Sequence, residues 1–229
     1  VKTVLGLSGE KDLIPRIATR LDAPLVMDCM DLDLETHIAV TSQYSGKTLA
    51  RIQVCGDTRV YGIRPNAVQP QKAPAPVEVI RICPDPAVPQ DFKLIIDPEG
   101  PPDSDPGMVS LSEADIIIAG GRGMKNKENF DLLFQCAKRI KAAVGASRVA
   151  VDSGWIPYSH QVGQTGEKVS PAVYIACGIS GSIQHFAGMK TAKIIIAVNQ
   201  DENAAIVANS DYYAIGDLLE IIPELIRQS

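Results

Sequence analysis

The chain has 229 residues, of which 45% are hydrophobic, 5% aromatic and 21% charged, with a formal net charge of −5. That length and hydrophobic fraction suffice for one large domain or two small ones, and the ordinary charge content argues against a disordered chain. The acidic balance argues against a nucleic-acid surface, and no apolar run reaches the length of a membrane span. The first residues, VKTVLGLSGEKDLIPR, contain neither a long apolar stretch nor a small-residue cleavage site, so no signal peptide is read there. The absence of a starting Met points to a processed or trimmed end. The five cysteines, Cys29, Cys55, Cys83, Cys136 and Cys177, are scattered and form no CxxC. They read as reduced thiols rather than disulfides or metal ligands.

Residues 1–70 read as alternating strand and helix. KTVLGL is strand-like, and EKDLIPRIATRLDA places Leu13, Ile14, Ile17 and Leu21 at helical spacing, with Pro15 near the first turn where it is tolerated. HIAVTSQYSGKTLARIQVCG predicts two strands around a turn at Ser45-Gly46, and TRVYGIRPNAV a further strand closing at Pro65. Few strands are legible here for a free-standing sheet. Residues 68–107 carry most of the prolines and read as a linker holding one strand, VEVIRI. The expected division is therefore a partial N-terminal α/β domain with a Pro-rich linker over 1–107, and a second domain over 108–229.

From Met108 the pattern sharpens. ADIIIAGG is a continuous apolar run, the mark of a strand buried on both faces of a parallel sheet. NKENFDLLFQCAKRIKAAVG predicts a helix capped by Asn126 and ended by Gly145. There follow strand RVAVD, a loop, strand AVYIA, helix SGSIQHFAGM, strand AKIIIAVN, a loop, strand DYYAIG and helix DLLEIIPELIRQ. Strands of this kind alternating with helices predict an α/β fold, a parallel sheet with helices on both faces.

Ligands of such sheets bind outside the carboxyl ends of the strands. The residues there are GGRGMKN, DSGWIPYSHQVGQTG, CGISGSIQH, NQDENA and GDL, rich in glycine and small polar groups. Taken singly, each has a plain explanation. Arg122 could be a surface arginine on a tight turn, Gln161, Gln164 and Thr165 a polar loop, His185 a hydrogen-bonded core histidine and Trp155 a packing residue. Neither a Ser-His-Asp constellation nor metal-ligand spacing among His37, His160 and His185 is present. Together, the loops describe a ligand with a phosphate part and a broad polar heterocycle. With almost no acid/base pair, they suit a cofactor that performs the chemistry itself.

The run from GGRGMKNKENFDLL through GASRVAVDSGWIPYSHQVGQTGEKVSPAVYIACGISGSIQHFAGM to IIIAVNQDENAAIVANSDYYAIGDLLEIIPELI strongly resembles the FAD-binding domain of the electron transfer flavoprotein alpha subunit, over roughly residues 110–229. GEKDLIPRIATRLDAPLVMD and GIRPNAV look like the second half of that family's N-terminal domain, which implies that an N-terminal portion is missing. The resemblance implies a heterodimer with a beta subunit that carries electrons from flavin dehydrogenases to a quinone reductase or another acceptor. It also implies a carrier rather than an enzyme with its own substrate, and it is compatible with the bacterial cytoplasm or the mitochondrial matrix. It implies that Arg122 and Ser147 sit near the FAD phosphates or ribityl chain, with Arg148 over the isoalloxazine ring. Thr165 would bond the ring near N5, with Gln161, Gln164 and Gly166 in the same loop. Ser180, Gln184 and His185 would reach phosphate, ribityl and pyrimidine-side oxygens, Gly178 and Gly181 would allow the tight turn beside them, and Asn199 and Asp217 would hold the adenosine part. A positive His185 near the flavin O2, together with Arg148, would raise the flavin potential. Two departures from the family pattern stand out: Glu167 precedes Lys168 where lysine usually follows QTG directly, and Gln200 replaces a frequent lysine. An NAD-dependent enzyme or transferase on a related nucleotide-binding fold is the competing reading, and a purely structural fragment a third. The first of these would need a substrate pocket with its own acid or base, and the sequence offers no such pair and no lysine placed for Schiff-base chemistry; flavin colour separates the carrier from both.

Overall fold

The computed structural model describes residues 2–9, 11–44, 48–68 and 109–228. The expected strand VEVIRI, the Pro-rich linker, the turn at Ser45-Gly46 and Cys83 lie outside the described residues.

The described residues form two five-stranded sheets. The first comes from β1 (Thr3–Leu7), α1 (Leu13–Arg20), β2 (Leu25–Asp33), β3 (Ile38–Gln43), β4 (Thr48–Gln53) and β5 (Arg59–Ile63). Its order is β1-β5-β2-β3-β4, with β5 parallel to both neighbours and β2, β3 and β4 antiparallel. Helix α1 lays Ile14, Ile17 and Ala18 on Val60, while Leu13 and Leu21 of the expected apolar stripe face outward. Strand β2 escapes sequence reading because its alternation is broken. Asp28 has φ 62° inside it, and its register slips between Val26 and Cys29 against β5 and between Cys29 and Asp31 against β3. A bulge of this kind removes the period-two signal that marks a strand. This strand completes a sheet that otherwise reads as too sparse.

The second sheet contains β6 (Ile116–Gly120), β7 (Ala143–Ala146), β8 (Val173–Cys177), β9 (Ile194–Asn199) and β10 (Tyr212–Ile215), ordered β10-β9-β8-β6-β7 and parallel throughout. Successive residues point to opposite faces. Ile117, Ala119, Tyr174, Ala176, Ile195 and Ala197 pack under α4 (Ile183–Met189) and α5 (Ala205–Ala208). Ile118, Val144, Ile175, Cys177 and Val198 pack under α2 (Phe130–Ile140) and α6 (Leu218–Gln228), the latter helical despite Pro223. Both faces are covered, which explains the unbroken apolar runs.

Two expectations are corrected. Helix α2 begins after Asn129, not at Asn126, whose Oδ1 instead accepts from the Asn129 N–H. It ends where Lys141 turns left-handed with φ 54°, so Gly145 is not its terminus but a residue of β7. The run RVAVD, expected as a strand, is the short helix α3 (Arg148–Asp152). The edge position beside β6 is taken by Ala143–Ala146, paired Ile117 to Ala143 through Gly120 to Ala146. The small side chains of AVGA carry little β propensity, and sheet pairing overrides it.

Candidate functional site

The chain leaves β6 to one side for β7 and returns to the other side for β8, so the strand order reverses between the carboxyl ends of β6 and β8. In an open parallel sheet this reversal opens a crevice for a ligand. A cleft of about 670 Å³ lies there. At its floor the two strand ends approach closely. The Gly121 N–H donates to the Cys177 carbonyl at 2.9 Å, and the Gly123 N–H to the Gly178 carbonyl at 2.9 Å. Gly178 has φ 61°, and a Cβ there would lie 2.7 Å from the Gly123 Cα. Gly181, at φ 81°, passes so near the start of α5 that a Cβ would meet the Ile206 nitrogen at 2.4 Å. Only glycine fits both turns.

The cleft wall contains Arg122 after β6, Ser147 and Arg148 after β7, Gln161, Gln164 and Thr165 from the loop that follows, Gly178 and Ser180 after β8, Gln184 and His185 on α4, and Asn199 at the end of β9. Of the predicted residues, Gly166, Gly181 and Asp217 stand outside this wall. Gly166 lies in a neighbouring hollow, Gly181 shapes the turn behind the wall, and Asp217 is 3.7 Å from the Lys125 amine and accepts the Leu219 N–H. Sequence reading missed Gly123, Gly163, Ser182 and Asp201 in the wall. Ser182 carried a signal, since a serine just before a helical run is a cap, and its Oγ accepts the His185 N–H at 3.4 Å.

The loop 161–167 is held by its own bonds. Gln161, 3% exposed, donates from Nε2 to Thr165 Oγ1 at 3.1 Å, and Tyr158 donates its hydroxyl to the Thr165 carbonyl at 2.5 Å. The Gln164 N–H reaches across to the Gln184 carbonyl at 2.8 Å, tying the loop to α4. Asn199 donates to the Ile179 carbonyl at 2.9 Å and fixes the turn after β8. The arrangement is preorganised by short-range bonds.

Arg148 does not open a strand as expected. It starts α3, exposed, with Nε 3.2 Å from Asp152 Oδ2. Such an exposed pair is weak and leaves the guanidinium available to a ligand. His185 is corrected too. Burial pushes its pKa down to about 4, opposed only in part by the Val162 carbonyl, so the ring is neutral near pH 7 and is not the cation that the resemblance implied. Its Nε2 lies 3.0 Å from the Tyr174 hydroxyl. The departure at Glu167 and Lys168 also resolves. The Lys168 amine turns to Asp28 of the first sheet, at 2.6 Å, rather than toward the cleft.

The wall offers donors, a flexible guanidinium and close backbone approaches. Two buried polar atoms of its residues, Ser147 Oγ and His185 Nδ1, make no well-formed hydrogen bond within the chain, the Val162 carbonyl lying only near the imidazole. Orphaned polar atoms on residues that line a cleft are what a polar ligand would satisfy. Residues 110–190 match the electron transfer flavoprotein FAD-binding domain, and residues 2–85 the electron transfer flavoprotein domain. The electron transfer flavoprotein subunit alpha of Bacillus subtilis is 41% identical over 225 residues, covering 95% of this chain and 67% of the relative.

The chain belongs to the electron transfer flavoprotein alpha-subunit family. A protein named FixB from Clostridium saccharobutylicum is 40% identical, over 96% of this chain and 66% of its own length. The mitochondrial electron transfer flavoprotein subunit alpha of Oryza sativa subsp. indica is 36% identical, over 95% of this chain and 62% of its own length. The chain thus spans about two thirds of the length of these relatives. The cofactor of the matched domain is FAD, and the glycine-lined floor and unsatisfied polar atoms fit it. Among the described residues, no helix is long and apolar enough to cross a membrane.

Proposed function

We propose that this chain is the FAD-holding alpha subunit of an electron transfer flavoprotein, a carrier between flavin dehydrogenases and a quinone reductase or similar acceptor, working with a beta subunit. The observation that carries this reading is the cleft at the strand-order reversal. Its residues offer donors and two unpaired buried polar atoms, and most of them fall within residues 110–190, which match the family's FAD-binding domain.

Bound FAD supplies the electron chemistry, which none of the side chains in the wall carries. The chain's own residues bind and tune. Gly123, Gly178 and Ser180 shape the turns against which phosphates would lie, with Arg122 beside them. Ser147, Thr165, Gln161 and Gln164 offer hydrogen bonds to the ribityl chain and ring, and Gln184 and His185 extend them toward the pyrimidine side. Asn199, and Asp217 at the end of the adjoining strand, are proposed for the adenosine part. Arg148 would bring positive charge near the flavin ring, which would favour its reduced, more negative forms and raise the potential. In the absence of a Coulombic contribution from neutral His185, Arg148 is the principal cation.

The test is reconstitution of the purified chain with FAD, alone and with a beta subunit, followed by gel filtration and reductive titration. The expected result is a retained flavin that is reduced by a flavin dehydrogenase in the presence of the beta subunit. A protein that retains no flavin in either state overturns the reading.

A further inference from the structure

A residue outside the cleft wall, hydrogen-bonded to His185, decides what the histidine offers. Tyr174 sits in β8 at the centre of the sheet, in register with Ile117 of β6 and Ile195 of β9, and is wholly buried. Its ring meets His185 edge-on at 6.0 Å between centroids, and its hydroxyl lies 3.0 Å from His185 Nε2. Among the described residues the hydroxyl has no other partner. Burial holds the phenol well above its ordinary pKa, so it keeps its proton. If Nε2 carried the imidazole proton and donated it to the tyrosine, two groups would go unsatisfied: the buried phenolic O–H and the lone pair on Nδ1. If the tyrosine donates to Nε2, one group remains, an N–H on Nδ1. The Val162 carbonyl stands beside the ring, and both residues line the cleft. The first arrangement strands two buried groups and the second one, a donor with a carbonyl close by, so the second prevails.

We propose that Tyr174 is a positioning residue: its hydroxyl donates to His185 Nε2 and holds the imidazole in the Nδ1–H tautomer. His185 therefore meets a ligand in the cleft as a neutral donor through Nδ1. This rests on the FAD reading only for the identity of that ligand. Because β8 is packed on both faces, the tyrosine cannot swing away, and the tautomer is set before anything binds.

Nitrogen NMR of the full chain with ring-labelled histidine, assigned with His185→Gln, reads the tautomer directly at pH 7 and without flavin. The expected wild-type spectrum has a protonated-type Nδ1 and an unprotonated-type Nε2, and Tyr174→Phe gives a mixture or the opposite tautomer. A wild-type His185 protonated at Nε2 overturns the proposal, as does an unchanged tautomer in folded Tyr174→Phe. If that variant does not fold, the wild-type spectrum alone decides. Added FAD is expected to shift the Nδ1 signal, and Tyr174→Phe to weaken FAD binding roughly fivefold, the effect of one misdirected neutral hydrogen bond. Bound FAD that leaves Nδ1 unmoved overturns the donor role. A chain that shows the Nδ1–H tautomer yet binds no FAD supports the tyrosine's role and overturns only the flavin reading.

Discussion

At Gly178 the backbone turns left-handed under the cleft, with the Gly123 Cα and a Leu218 methyl both 2.7 Å from where a Cβ would sit. Gly178→Ala is expected to cost about 1–3 kcal/mol from the backbone conformation alone, with the steric clash added, and to abolish FAD retention. Denaturant unfolding and a bound-flavin assay check both. His185 makes a second residue-scale prediction. Its pKa is 6.5 ordinarily and about 4 in the folded chain, so the unfolded state takes up the proton first. The stability it contributes is complete above the ordinary value and is lost as the pH falls toward the folded one, by about 3 kcal/mol in all. Unfolding free energies measured at pH 7 and pH 4.5 should therefore differ less in His185→Gln than in the wild type. A third concerns Arg148. Arg148→Ala that still holds FAD should lower the midpoint potential by roughly 20–40 mV, or about 1–2 kcal/mol for a two-electron couple. An unchanged spectroelectrochemical midpoint would remove Arg148 from the tuning role. That these residues stand at the strand ends around one cleft was legible from the glycine-rich sequence there, but the protonation of His185 was not, because burial and the Tyr174 partner come from other elements.

Among the elements, the two sheets are joined by a charged cluster. Arg64, 3% exposed, makes two 2.8 Å bonds to the Asp28 carboxylate, and its Nη1 donates at 3.1 Å to Thr191 Oγ1 in the turn that leads from α4 into β9 of the second sheet. Lys168 reaches the same carboxylate from the cofactor loop. Burial raises the Asp28 pKa, but hydrogen bonds and charge from Arg64 and Lys168 outweigh it and leave the carboxyl below its ordinary value. That contribution is present above pH 3.8 and is lost as the pH falls further, a window below that of His185. Arg64→Met strips a buried partner and is expected to destabilise by about 3 kcal/mol. Lys168→Met, whose side chain is 40% exposed, should cost under about 1 kcal/mol. Chemical denaturation of both variants orders them. None of this was readable from spacing, since Asp28, Arg64 and Lys168 are far apart in the chain. The misreading of RVAVD as a strand has the same origin: valine alternation suits either element over five residues, and only the pairing of Ala143–Ala146 with β6 occupies the edge.

For the whole molecule, a ligand that binds only the folded chain stabilises it by mass action, so FAD at a hundredfold excess over its dissociation constant should add about 2.7 kcal/mol. A thermal midpoint that ignores FAD would mean that the cleft does not hold it. The strand runs IIIAG, VYIAC and IIIAVN were legible because a parallel sheet covered on both faces demands uninterrupted apolar residues. The glycine and amide loops after them were legible because ligands gather at strand ends. By itself, then, the sequence determined the α/β class, the elements with strong periodicity and the family. The tertiary structure alone decided three things: that β2 completes the first sheet through a bulge, that β7 takes the edge of the second, and that His185 is neutral while Lys168 serves Asp28. Each of these depends on which distant groups meet in a dry interior, where desolvation and partner geometry outweigh local preference.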